Sequence, residues 1–350
     1  MPQKVDYLIV GLGIAGVCFA KQCLDNNKTF KIIADNKKQA SHVAAGMYNP
    51  IILFRFTTIH RAVEQMDQLV KTFGEFESLL NQKIIHPKKI YRIFANQHET
   101  EIWVKKISKK PILQKFLNPE IIPNSFEGIH APYGFGEVMH CGWVDMSLLI
   151  ESFKKQFNEH IINERFDYDS MDTETNKYGD IESKQVVFAE GVGLEHNPYF
   201  NYVPIIKNKG EILELEIDQE LPDIIFKSKN FLMPLGGNKY YVGATYDVDY
   251  DSPEPTEANK ELLLEKLSAY YKGEYKVVEH RAAFRPTVED RRSIIGEHPK
   301  FRNMFLLNGM GTRGSFNAPS LSQYLFNHIE HKSEIPEEYK LSRFNNLLKD

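Results

Sequence analysis

Apolar residues near the start of the chain follow two different spacings, which predict a strand, a helix and a second strand. Residues 7–10 form a short apolar run that suits a strand buried on both faces. Val17, Ala20 and Leu24 then recur at the spacing of one helix face. Residues 30–34 form another apolar run, which ends at Asp35. These segments predict a βαβ unit at the N-terminus.

Both kinds of pattern recur further along the chain. Helical spacing predicts helices from Val63 to Leu80, over residues 97–109, after the candidate N-cap Asp145 and after Thr256. Residues 111–140 carry several prolines and glycines, which indicates an irregular surface insertion. Alternating or apolar runs predict strands at 89–95, 161–166, 185–189, 210–217, 231–235, 240–244 and 305–307.

Segments of the βαβ type are interleaved with antiparallel patterns, which indicates two discontinuous domains. We predict an α/β fold, α+β overall. A Rossmann-like domain would cover residues 1–85, 141–200 and 285–350. An antiparallel-sheet domain would cover residues 86–140 and 201–284.

The composition is typical of a soluble globular protein, with 42% hydrophobic and 26% charged residues. The net charge of −4 gives no general attraction to nucleic acid or to an anionic membrane. No run approaches the roughly 18 apolar residues of a membrane span, so we expect no membrane partner. Cys18, Cys23 and Cys141 form no CxxC pair, and no signal peptide is recognisable. We therefore expect a cytoplasmic protein without disulfides or a bound metal.

A GxGxxG motif lies between the first predicted strand and helix. Gly11 allows a tight turn, Gly13 lets the backbone approach a pyrophosphate, and Gly16 lets helix and strand pack closely. The helix N-terminus offers N–H groups to phosphates, and Asp35 can accept hydrogen bonds from a ribose. We expect a dinucleotide, and the acid favours FAD or NAD over NADP. The alternative is an ordinary βαβ turn.

A second glycine loop follows the last predicted strand. Gly309, Gly311 and Gly314 surround Arg313, and Pro319 is a typical first-turn residue for the helix that follows. A glycine loop at a helix start is another site for negative charge. The alternative is a terminal loop that only packs, although Arg313 among three glycines argues for a ligand.

Arg285 follows three apolar residues and directly precedes Pro286, within the stretch AAFRPTVEDRRSIIG. Burial of its guanidinium without a partner would cost several kcal/mol, so an anion should face it. One hypothesis is the carboxylate of a substrate, which suits a bidentate arginine. The other is a structural ion pair with Glu289 or Asp290 in the same motif.

Several motifs in order along nearly the whole chain resemble the FAD-dependent D-amino-acid oxidase family, which includes glycine and sarcosine oxidases. They are GLGIAG with a later Asp35, SHVAAGM, VVFAEGVG, YFNYVPIIKNKGEILEL, FLMPLGGNKYYVGAT, FRPTVEDRRSIIG and GMGTRGSFNAP. The resemblance implies that the Rossmann-like domain binds FAD and that the antiparallel domain binds substrate. It implies FAD contacts at Gly11, Gly13, Ile14, Ala15, Gly16, Asp35, Ser41, Ala45, Gly46, Met47, Phe166, Gly191, Gly309, Gly311, Thr312, Arg313, Gly314 and Ser315.

The resemblance also implies an activity. Family enzymes oxidise the C–N bond of an amino acid or N-substituted amine by hydride transfer to flavin N5. Arg285 and Arg313 correspond to active-site arginines, with Arg285 on the carboxylate of a small carboxylated amine. A non-catalytic flavin-binding protein is an alternative.

The motif CGWVD and the chain's ending are most similar to one branch of this family. That branch is the flavin domain of the bifunctional enzyme that matures carboxymethylaminomethyl-uridine in tRNA. It implies tRNA as an alternative substrate. The densest basic cluster, Lys105, Lys106, Lys109 and Lys110, is more typical of a solvated helix face than of a nucleic-acid contact.

Overall fold

A computed structural model describes residues 2–35, 37, 39–250 and 252–348 of the protein. The strands, in chain order, are β1 (Gln3–Val10), β2 (Phe30–Ala34), β3 (Met47–Tyr48), β4 (Ile51–Ile52), β5 (Thr57–Thr58), β6 (Ile85–Ile93), β7 (Leu117–Ile122), β8 (Phe135–Val144), β9 (Ile161–Asn163), β10 (Met171–Asp172), β11 (Lys177–Tyr178), β12 (Ile181–Phe188), β13 (Ile205–Glu216), β14 (Ile225–Lys227), β15 (Phe231–Gly236), β16 (Lys239–Gly243), β17 (Lys276–Val288), β18 (Ile294–Glu297) and β19 (Met304–Asn308).

Three of the longer helices in the described residues begin at a side chain that satisfies one of their first N–H groups. Asn96, Asp145 and Thr256 each accept a hydrogen bond from the backbone three residues later, as N-caps do. Within the described residues, no helix is long and apolar enough to cross a membrane. The helices are α1 (Ile14–Asp25), α2 (Ala40–Val43), α3 (Ala62–Leu80), α4 (Gln97–Lys109), α5 (Pro111–Gln114), α6 (Met146–Gln156), α7 (Glu257–Ser268) and α8 (Gly314–His331).

The first sheet has a parallel core in the order β9-β2-β1-β12-β19. β18 pairs antiparallel with β19, and the short β10 and β11 extend from β12. Tyr7 and Ile9 of β1 pack into one hydrophobic cluster, while Leu8 and Val10 pack into another on the opposite face. β1 is therefore buried on both faces, as its apolar run predicts.

The second sheet has the order β17-β13-β16-β15-β14-β6-β8-β3, with β7 paired to β8. β13 pairs antiparallel with β17 from Ile205 to Glu216 and with β16 from Ile212 to Glu216. The strands of the two sheets are interleaved along the chain. The division into two domains at the residues given above stays a prediction.

Two predictions from proline positions are wrong. Residues 111–140 are not an irregular insertion, because they contain α5, β7 and the start of β8. Pro119 is tolerated because β7 pairs with a single neighbour, so the missing N–H removes no ladder bond from a central strand. The C-terminal helix does not begin after Pro319: α8 begins at Gly314, and Pro319 lies inside it.

A buried ion pair joins β13 to the segments around it. Lys209 Nζ lies 3.0 Å from Glu211 Oε1, and both side chains are fully buried. Glu211 also accepts hydrogen bonds from the Asn259 amide at 2.8 Å and the Thr256 N–H at 2.9 Å. Burial alone would raise the pKa of Glu211, but these hydrogen bonds and the Lys209 charge outweigh it and lower that pKa. Glu211 thereby anchors the start of α7 to the sheet.

Replacement of Glu211 by Ala should lower the free energy of unfolding by about 3–5 kcal/mol, because it leaves the Lys209 ammonium buried without its counter-charge. Urea denaturation measures this change. The matched control is Glu182→Ala, which removes an exposed ion pair with Lys4 and should change stability by less than about 1 kcal/mol. Similar losses in the two variants would contradict the role assigned to the buried pair.

Candidate functional site

A cavity of about 660 Å³ lies where the two sheets approach each other. From the first sheet, the carboxyl ends of β1, β2, β12 and β19 lead into residues that line it. From the second sheet, β13, β16 and β17 contribute one wall. Ligands of parallel α/β sheets bind outside the carboxyl ends of the strands, and this volume is that of a small-molecule site.

The turn between β1 and α1 depends on two glycines that lie just outside the cavity lining. Gly11 has a φ of +107°, and a Cβ there would come within 2.5 Å of the Ala189 carbonyl oxygen. A Cβ on Gly16 would come within 2.1 Å of the Gly11 carbonyl oxygen. Any larger side chain would therefore force strand and helix apart. Both glycines have the structural tasks that the GxGxxG motif predicts.

The N-terminus of α1 faces the cavity through Gly13, Ile14 and Ala15. No side chain caps this helix at Gly13, although Ser41 Oγ accepts a hydrogen bond from the Ile14 N–H at 3.1 Å. The first N–H groups of a helix have no partner within the helix and carry a partial positive charge. Asp35 also lines the cavity, directly after β2. A helix N-terminus suited to an anion and an acid are thus brought to the same cavity.

The segment from α2 to β3 forms a second side of the cavity, lined by Ser41, Ala45, Gly46 and Met47. Gly46 has a φ of +64°, and a Cβ there would overlap the Val144 carbonyl oxygen at 1.8 Å. The Gly46 carbonyl oxygen accepts the Val144 N–H at 3.0 Å. The close contact with β8 therefore requires glycine and fixes this segment against the second sheet.

The start of α8 closes a third side. Gly311, Thr312, Arg313, Gly314 and Ser315 line the cavity there. Within the described residues, Arg313 Nη1 is buried and has no hydrogen-bond partner. Burial lowers the pKa of its guanidinium. Arg313 thus brings a buried cation with an unused donor to the lining of the cavity.

Arg285 projects from β17 into the cavity wall. Its Nη1 donates to Asn208 Oδ1 at 2.8 Å and to the Thr245 carbonyl oxygen at 3.1 Å. Both acceptors are neutral, and burial lowers the pKa of the guanidinium. Within the described residues, no carboxylate forms an ion pair with it. Asp290, the rival partner, instead binds Arg343 at 3.0 Å.

Three features of the wall around Arg285 were missed by the sequence analysis. Asn208 and Thr245 hold the guanidinium, and Gly210 lies beneath it, where a Cβ would come within 1.9 Å of Arg285 Nη2. A glycine inside an alternating strand is a known sign of close approach, so Gly210 could have been found. Of the adjacent Tyr240 and Tyr241 on β16, Tyr241 lines the cavity.

Two residues predicted to contact the cofactor do not line the cavity. Gly191 lines the cavity, but Gly309 does not; its φ is +74° and a Cβ would come within 2.4 Å of Val288. Phe166 stacks on Tyr178 at 4.5 Å within a hydrophobic cluster, outside the cavity lining. The predicted contacts of Gly309 and Phe166 with a cofactor stay predictions.

Glu190 lines the cavity beside Gly191 but turns its carboxylate to other protein groups. It accepts hydrogen bonds from the Tyr168 hydroxyl and, at 2.8 Å, from the Asn197 amide. Burial raises the pKa of Glu190 to about 7, and those hydrogen bonds only partly oppose the rise. Glu190 therefore stabilises this turn and does not neutralise Arg285 or Arg313.

Solved structures share this architecture. Glycine oxidase from Geobacillus kaustophilus superposes with a TM-score of 0.80 at 16% identity, covering 97% of this chain and 98% of that chain. Iminodiacetate oxidase from Chelativorans sp. BNC1 superposes with a TM-score of 0.76 at 16% identity, again covering 97% and 98%. At such low identity these two structures show a common α/β fold.

Relatives by sequence extend beyond this chain. The "tRNA 5-methylaminomethyl-2-thiouridine biosynthesis bifunctional protein MnmC" of Marinobacter nauticus is 22% identical over 359 residues, covering 92% of this chain and 55% of that protein. The protein of that name from Legionella pneumophila (strain Corby) is 20% identical over 373 residues, covering 94% and 54%. The chain thus spans about half the length of these relatives. The model of the DAO family, described as FAD dependent oxidoreductase, matches residues 6–327, so the chain belongs to that family.

Proposed function

We propose that this FAD-dependent oxidoreductase oxidises the C–N bond of a small carboxylated amine. The observation that carries the proposal is Arg285, a cation in the cavity wall whose acceptors are all neutral. A carboxylate is the ligand that best completes such a site, because the guanidinium fork matches its two oxygens.

The residues of the cavity fit FAD, the cofactor of the family. The N-terminus of α1 at Gly13 would hold the pyrophosphate, and Asp35 would accept hydrogen bonds from the ribose. The remaining lining residues from α2 to β3 and at the start of α8 would surround the flavin ring. The positive end of α8 and Arg313 would favour negative charge on that ring after reduction.

FAD, when bound there, would supply a two-electron acceptor for a hydride equivalent from the carbon next to the amine. Arg285 would bind the substrate carboxylate and so orient that carbon. The resulting imine would then be hydrolysed by water, with the amine as one product.

Among the described residues that line the cavity, none beside Arg285 is a carboxylate or a histidine that could act as a base. Burial raises the pKa of Tyr241 to about 12, so its hydroxyl stays protonated at neutral pH. Among the described residues that line the cavity, the acids are Asp35 and Glu190. Asp35 would be occupied by the ribose, and Glu190 is engaged by Tyr168 and Asn197. The substrate amine would therefore lose its proton to water before oxidation.

Replacement of Arg285 by Ala should raise KM for a carboxylated amine by at least about 30-fold, because removal of one partner from a buried charge pair costs about 2–5 kcal/mol. The flavin should remain bound. Anaerobic flavin reduction by N-methylglycine and other N-alkyl or free amino acids measures the effect.

The matched control is Arg302→Ala, which removes an exposed arginine outside the cavity lining. It should leave KM unchanged. An unchanged KM in the Arg285 variant would remove the substrate carboxylate from the proposal. Flavin that no amine reduces would contradict the oxidoreductase reaction itself.

A second candidate is oxidation of a carboxylated amine carried on tRNA, which the name of the MnmC relatives motivates. A basic surface near the cavity supports it. This surface, the lysine patch, comprises Arg55, Lys105, Lys106, Lys109, Lys110 and Lys115. Within the described residues, none of these cations forms an ion pair with an acid. Phosphate groups could therefore contact them without first displacing a carboxylate.

The β4–β5 hairpin connects the lysine patch with the cavity. It follows Asn49, which lines the cavity, and its tip carries Phe54, which is 76% exposed. The Arg55 guanidinium lies 5.0 Å from the Phe54 ring, and Lys106 Nζ donates to the Arg55 carbonyl oxygen. Exposed aromatic rings beside cations provide stacking surfaces for unpaired bases. This arrangement favours an RNA contact over the merely solvated helix face expected from the sequence.

For the tRNA candidate, the triple variant K105E/K109E/K110E should weaken RNA binding. It should also make the negative slope of log K against log salt concentration shallower by about 2. Fluorescence anisotropy with labelled tRNA at several salt concentrations measures both. The control reverses Lys71, Lys229 and Lys332, which are exposed elsewhere. Equal losses in both triple variants, or none in either, would contradict a role for the lysine patch.

A further inference from the structure

Asn208 lies directly opposite Arg285 in the register between β13 and β17. The side chain of Asn208 is completely buried, so its amide must find partners within the protein. Its Oδ1 accepts from Arg285 Nη1 at 2.8 Å, and its Nδ2 donates to the Asp247 carbonyl oxygen at 3.2 Å. Both ends of the amide are therefore committed.

Within the described residues, the side-chain hydrogen bonds of Arg285 all come from one of its nitrogens. Nη1 is held by Asn208 and by the Thr245 carbonyl oxygen. Within the described residues, Nη2 and Nε form no hydrogen bond. The guanidinium lies against Gly210, where even a methyl group would overlap it. The arginine is thus fixed in place while donors remain for a ligand.

The amide of Asn208 also ties the arginine to a neighbouring wall segment. The Lys209 N–H and the Asp247 N–H bond to each other's carbonyl oxygens, at 2.7 and 3.0 Å. The segment held in this way includes Thr245 and Tyr246, both of which line the cavity. One amide therefore joins the cation and the segment that supplies its second acceptor.

The chemical nature of this partner matters because Asn and Asp have nearly the same shape. An aspartate in this position would neutralise Arg285 and compete with a substrate carboxylate. An amide oxygen orients the guanidinium and leaves its charge uncompensated. The same hydrogen bond can therefore either preserve or remove the site's affinity for anions.

We propose that Asn208 is a positioning residue that determines selectivity for carboxylated ligands, by orienting Arg285 through a neutral acceptor. The inference rests on the proposed function, because it assumes that Arg285 receives the carboxylate of the substrate. It assigns to Asn208 no contact with substrate or cofactor.

The test compares the FAD-loaded wild-type protein with Asn208→Asp and Asn208→Ala. Acetate is the probe for anion binding, followed through the change in the flavin absorbance spectrum. The Kd for acetate and KM for N-methylglycine should both rise at least 30-fold in N208D. In N208A, where the charge stays uncompensated, the rise should be below about 10-fold. Because a positioning residue of this kind acts on binding, kcat should change less than about 3-fold in both.

A purely structural role would give a different result. Loss of geometry alone would weaken acetate binding equally in N208D and N208A, and that outcome would overturn the proposal, as would unchanged binding in both. Thermal unfolding and flavin content establish that each variant is folded. If N208D does not fold, Asn208→Ser provides the second comparison: it keeps a neutral acceptor group, so acetate binding should weaken less than in R285A. Equal weakening in these two would overturn the proposal.

Failure of the proposed function would look different from failure of this inference. If no amine reduces the wild-type flavin, the oxidation reaction is wrong. The acetate titration would still decide whether Asn208 keeps Arg285 available to anions.

Discussion

The site depends on a cation that the protein orients but does not neutralise. Arg285 is held by an amide oxygen and a carbonyl oxygen, and Asp290, an acid of the same motif, is bound to Arg343 instead. Because an uncompensated guanidinium is costly to bury, such an arrangement is stable only where water or an anionic ligand can reach it. The cavity supplies that access. In the function we propose, this arrangement retains an affinity for carboxylates that a nearby acid would abolish.

One stretch of β13 supports this arrangement from both of its faces. Residues two apart on a strand point to the same side, so Asn208 lies on the same side of β13 as Gly210, which lines the cavity, while Lys209 and Glu211 lie on the other side. Lys209 and Glu211 form the buried ion pair that anchors the start of α7. Glu211 and Thr245 also exchange two hydrogen bonds, through the Glu211 carbonyl oxygen and the Thr245 hydroxyl. Thr245, which supplies one acceptor of Arg285, is thus held by the backbone of the residue that carries the buried acid.

The parts of the site that follow one another in sequence could be predicted from sequence. The turn of Gly11, Gly13 and Gly16, the acid after β2 and the glycine loop before α8 depend on local order, and the structure brings most of their residues to one cavity. The role of Asn208 could not be predicted, because it depends on the register of two strands 77 residues apart. The prediction of an irregular insertion at residues 111–140 failed for a related reason. Whether a proline is tolerated in a strand depends on that strand's neighbours.

The most direct test of the account compares a carboxylated amine with its uncharged counterpart on the wild-type protein. Anaerobic flavin reduction should be followed with N-methylglycine and with N-methylglycinamide, which differ only in the carboxylate. The account predicts that kcat/KM for the carboxylate is at least about 30-fold higher, since a carboxylate paired with a buried arginine contributes about 2 kcal/mol or more. Equal values for the two substrates would contradict the claim that Arg285 is kept uncompensated in order to bind a carboxylate.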